Sequence, residues 1–81
     1  MTIDDAVQAL TTLIKQVSPS AEVKTVKISE EEARMSVFVG EADVQAIREA
    51  TFQPVLKYLN EEGYDIQVLV YDKDHPPEIG D

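Results

Sequence analysis

The chain has no cysteine and no tryptophan, a single histidine, and only three glycines in 81 residues. Without cysteine there is no disulfide framework and no thiolate zinc site, so the fold must rest on packing. One histidine and no thiol leave no visible Ser-His-Asp set and no Cys-His pair. Gly40, Gly63 and Gly80 stand alone, which excludes a glycine-rich phosphate loop. No stretch approaches the ~18 consecutive apolar residues of a membrane span. The first residues, Met1-Thr2-Ile3-Asp4-Asp5, have no basic n-region and no apolar run, and so read as a helix start and not a leader. Basic residues are scarce too: seven Lys and Arg face sixteen Asp and Glu, for a net charge of −9. Such a surface repels phosphate backbones and anionic lipid. The expectation is a cytoplasmic, non-enzymatic protein without cofactor, metal or small-molecule substrate, for which nucleic acid and membrane are disfavoured partners.

What is present is ordinary globular material, 43% apolar, enough for one small core. Ile3, Ala6, Val7, Leu10, Leu13, Ile14 and Val17 recur at helical spacing, with Thr2 as N-cap and Asp4 and Asp5 at the positive end of the helix dipole. Ser18-Pro19-Ser20 ends that helix, because the residue before a proline is pushed out of helical geometry. Glu22 to Ser29 and Arg34 to Gly40 read as two strands around the acidic loop Glu30-Glu31-Glu32, a solubilising charge run. Pairing Ile28 with Met35 and Val26 with Val37 sets these four on one face of a hairpin. Val23, Thr25, Lys27, Ser36 and Phe38 then fall on the other.

Glu41-Ala42-Asp43 opens a second helical region, interrupted at Pro54. An interior proline costs about 3 kcal/mol, whereas at a helix's first position it costs little. Two short helices are therefore expected, Asp43 to Ala50 and Pro54 to Glu62, joined by a corner at Thr51-Phe52-Gln53, with one kinked helix as the alternative. Phe52 is expected to fold into the core beside Leu56. Gly63 supplies the stop, and Tyr64 to Tyr71 alternate as a third strand. The fold class is α+β in the order α-β-β-α-α-β: a three-stranded sheet with helices packed on one face. Residues 1–71 form the domain and residues 72–81 an acidic, proline-containing, extended tail.

Helices on one face leave the other face of such a sheet open. Phe38, Leu69 and Tyr71, with Val23 and Thr25 near them, would stand there, and an exposed apolar, aromatic sheet face marks an interface. The partner expected on it is another protein or a second copy of this chain. Three other groups read as structure. Asp72, Asp74 and His75 resemble a metal cluster but sit on a tail without the preorganised geometry that ligation needs. Lys24, Lys27 and Arg34 make a small basic spot, suited to surface ion pairs with Glu22 or Glu32. The three loop glutamates lack a cleft to tune them for acid–base work.

Across residues 3 to 71 the element order resembles the type II KH-like fold of small bacterial RNA-binding proteins. That resemblance implies RNA binding through a Gly-x-x-Gly loop between the two central helices. The matching stretch here, Arg48-Glu49-Ala50-Thr51-Phe52-Gln53-Pro54, has no glycine and one basic residue. A ferredoxin-like sheet lacking its first strand would give nearly the same pattern.

Overall fold

The chain is described by a computed structural model covering residues 1–74. Five elements follow one another: α1 (Ile3–Val17), β1 (Glu22–Lys27), β2 (Glu32–Val39), α2 (Glu41–Glu62) and β3 (Asp65–Asp72). The fold is α+β, with two helices on a three-stranded sheet in the order β1-β2-β3. β1 and β2 form an antiparallel hairpin, and α2 returns the chain so that β3 runs parallel to β2.

α1 forms where its periodicity places it. Thr2 and Asp5 close a capping box, and Ile3, Ala6, Leu10 and Ile14 are buried along one stripe. Ser18 ends the helix with its N–H on the Ile14 carbonyl. Its buried hydroxyl donates to the Asp43 carboxylate at 2.8 Å, which ties the end of α1 to the first turn of α2. β2 is the central strand. Ala33, Met35, Val37 and Val39 are all fully buried beneath the helices, and Ile66 of β3 joins them.

The region after Gly40 is one helix of 22 residues with Pro54 inside it, not two helices meeting at a corner. Val44, Ile47, Thr51, Val55 and Tyr58 form an unbroken stripe at spacings of three and four, all buried or half-buried. Breaking the helix at residues 51–53 would rotate the second half of that stripe off the core. The Thr51 hydroxyl donates to the Ile47 carbonyl at 2.8 Å, a back-bond in the turn that Pro54 crowds. Gly63 takes φ 72°, a left-handed cap, and its N–H reaches the Leu59 carbonyl.

The hairpin register also differs from the expected one. Thr25 pairs with Met35 and Val23 with Val37, a shift of three residues. An odd shift turns every side chain of β1 to the opposite face. β1 carries apolar residues on both alternations, so its pattern alone does not choose. Two contacts fix the outcome. The N–H groups of Ile28 and Ser29 both close the turn onto the Glu32 carbonyl. Lys27, turned to the helix side, pairs with Asp4 of α1 at 3.2 Å and with Glu30 at 3.4 Å.

At the other end, Asp72 still belongs to β3 and is not the start of a tail. The Lys73 N–H donates to the Val39 carbonyl, and its ammonium donates to the Ser20 carbonyl. Residues 75–81 of the expected tail lie outside the described residues.

Candidate interaction surface on the open sheet face

Among the described residues no element covers the side of the sheet opposite α1 and α2. The register assigns its side chains in rows that run across the three strands. Glu22, Phe38 and Tyr71 form the first row, Lys24, Ser36 and Leu69 the second, and Val26, Arg34 and Gln67 the third. Phe38 and Tyr71 stand on neighbouring parallel strands, so their rings meet in a stack with centroids 5.3 Å apart and planes at 22°. The Lys24 ammonium lies 5.7 Å from the Phe38 ring centre, on the side of β1. Leu69 remains 38% exposed and Val26 62% exposed.

Three of the five residues expected on this face are there: Phe38, Leu69 and Tyr71. Val23 and Thr25 are not. The register puts them on the helix side, Val23 half-buried against the core and Thr25 exposed beside it. Val26 takes their place, a residue the expected register assigned to the core. The same shift separates the basic spot. Lys24 and Arg34 stand on the open face, whereas Lys27 is held on the other side by Asp4, whose hydrogen bond is the main cause raising the Lys27 pKa. Among the described residues neither Lys24 nor Arg34 makes an ion pair. Glu22, Glu32 and Asp65 mark the ends of the face, so its centre is apolar and cationic on a body of net charge −9.

A second apolar surface lies on α2, outside the stripe that packs on the core. Phe52 is 63% exposed, Leu56 41% and Leu59 46%. Phe52 does stand beside Leu56, as the i, i+4 spacing requires, but both face solvent and neither fills the core. The segment that the KH-like resemblance would make a loop, residues 48–54, is helical throughout. Along the C-terminal half of α2 runs a partly open groove of about 740 Å³, with Met1, Pro54, Leu56 and Tyr58 in its lining and Lys57 and Glu61 beside them.

Compared with known proteins, the chain matches no family model, and no curated protein or solved structure is significantly similar to it. Its site therefore has to be read from its own geometry. Among the described residues no three His, Cys, Asp or Glu side chains come together as a metal group. Asp72 and Asp74 stand at the end of β3, where the Asp74 N–H donates to the Asp72 carboxylate, and His75 lies outside the described residues. No helix among the described residues is long and apolar enough to cross a membrane.

Proposed function

We propose that this chain is a small, non-enzymatic interaction module that captures a protein partner on its open sheet face. The observation that carries this reading is the half-buried Phe38–Tyr71 stack, on a face that no described element covers, extended by the exposed Leu69 and Val26. Aromatic rings stiffened by stacking lose little side-chain entropy on binding, which suits them as anchors. Lys24 and Arg34 set the chemistry of the partner. They favour a surface that brings apolar side chains to the aromatic row and carboxylates to the two cations, within a body that otherwise repels acids.

RNA, the ligand of KH-like domains, is the competing occupant. The ring geometry speaks against base stacking. Phe38 already has the Tyr71 ring stacked on it and the Lys24 ammonium over it at 5.7 Å, where a stacking platform would offer its ring to a base. The test is capture from native lysate by the tagged parent, Leu69→Asp and Tyr71→Asp, each with and without RNase, with far-UV circular dichroism to confirm the fold. The expected result is a protein partner captured by the parent in both halves and lost by both variants. Capture that collapses with RNase, or that survives both substitutions, overturns the proposal.

A further inference from the structure

We infer that the outer stripe of α2 pairs with the same stripe of a second copy, antiparallel, about a two-fold axis near Leu56. Arg48, Phe52, Leu56, Leu59 and Glu62 succeed one another at spacings of three and four. They form a continuous ridge that starts positive, is apolar through its middle and ends negative. A ridge of that kind is complementary to itself in one orientation only. Antiparallel, Phe52 meets the second copy's Leu59, Leu56 meets its own counterpart, and Arg48 comes within reach of the second copy's Glu62. Parallel pairing would set Arg48 on Arg48 and Glu62 on Glu62.

The end of the helix carries a second, independent need for that cation. The last turn of α2 holds Glu61 and Glu62 and no basic residue, against the negative end of the helix dipole. Among the described residues Glu62 makes no ion pair, and neither does Arg48. In the antiparallel pair each copy's Arg48 supplies the cation that the other copy's helix end lacks. Phe52, Leu56 and Leu59 are exposed along about two turns, so the seam falls at the small end of the ~1,200–2,000 Å² of standard interfaces. The dimer is expected to dissociate in the micromolar range.

This inference does not depend on the sheet-face reading, because the two surfaces lie on different elements and share no residue. It is tested by sedimentation equilibrium on the full chain, at concentrations up to ~1 mM, the weak end of specific association. Near-physiological salt, with a Debye length of ~8 Å, keeps net-charge repulsion short-ranged. The parent should dimerise, and Phe52→Asp and Leu59→Asp should be monomeric with unchanged helical content. Arg48→Glu alone should weaken the dimer at least tenfold, as should Glu62→Arg alone, and the double exchange should restore it. A monomeric parent overturns the inference. So does a dimer that survives Leu59→Asp and is lost in Tyr71→Asp, which would move self-association to the sheet face. A dimer indifferent to the charge exchange overturns the antiparallel register.

Discussion

Asp5 and Thr2 show how much one residue contributes to starting this fold. The Thr2 N–H donates to the Asp5 carboxylate at 3.0 Å, and the Asp5 N–H donates to the Thr2 hydroxyl at 3.3 Å. The backbone hydrogen bond from Thr2 is the main reason the Asp5 carboxyl titrates below 3.8, with the Thr2 side chain next. The sign follows from linkage. A depressed folded-state pKa favours the folded form once the unfolded group is ionised, so the contribution is complete above pH 3.8 and fades as pH falls through the lower folded value. Asp5→Asn should therefore be less stable than the parent near neutrality and converge with it in strong acid, as read by urea unfolding at a series of pH values. A gap that persists unchanged in acid would show that the carboxylate's charge is not what the cap uses. This box was legible from Thr2 and the acidic first turn alone, because both partners lie within one turn. The partner of Lys27 was not, because Asp4 is 23 residues away and reaches it only after the hairpin has folded over α1.

At the scale of elements, α2 is where pattern and structure part. Its apolar residues occupy two sides, Val44, Ile47, Val55 and Tyr58 towards the core and Phe52, Leu56 and Leu59 towards solvent. A helix with apolar residues on both sides has no single amphipathic face to read. With Pro54 in the middle, a broken helix is then the natural expectation. The structure keeps the helix whole because the inner stripe is continuous, and it accepts the proline's cost. Pro54→Ala should therefore raise stability by up to ~3 kcal/mol, the cost of an interior proline. For a domain of this size the full ~3 kcal/mol corresponds to roughly 12–24 °C in Tm. At the first position of a separate helix the same substitution would change little, so an unmoved melting curve would return the corner. β1 failed to be legible for a related reason. With Val23 on one alternation and Val26 and Ile28 on the other, the strand has no decisive pattern. Its register is set by the turn and by α1. β2 and β3 alternate cleanly, which is why Phe38, Leu69 and Tyr71 were placed correctly and Val23 and Thr25 were not.

For the molecule as a whole, the two surfaces have a joint consequence. The helices cover one side of the sheet, and the outer stripe of α2 and the Phe38–Tyr71 row share no residue. Pairing two copies through α2 would use no residue of either sheet face, making the dimer bivalent for its partner. Bivalency adds no contact, but it makes the second binding event intramolecular and can lengthen residence on a dense surface by ~10²–10⁴-fold. In dilute solution the parent and Leu59→Asp should bind the partner with equal affinity and one partner per chain, as titration calorimetry reads. On a surface crowded with immobilised partner, the parent should dissociate far more slowly than Leu59→Asp. On a sparse surface the two should leave at the same rate. Equal residence on the crowded surface would mean that the dimer does not present both faces at once. A loss of solution affinity in Leu59→Asp would mean that α2, and not the sheet, contacts the partner.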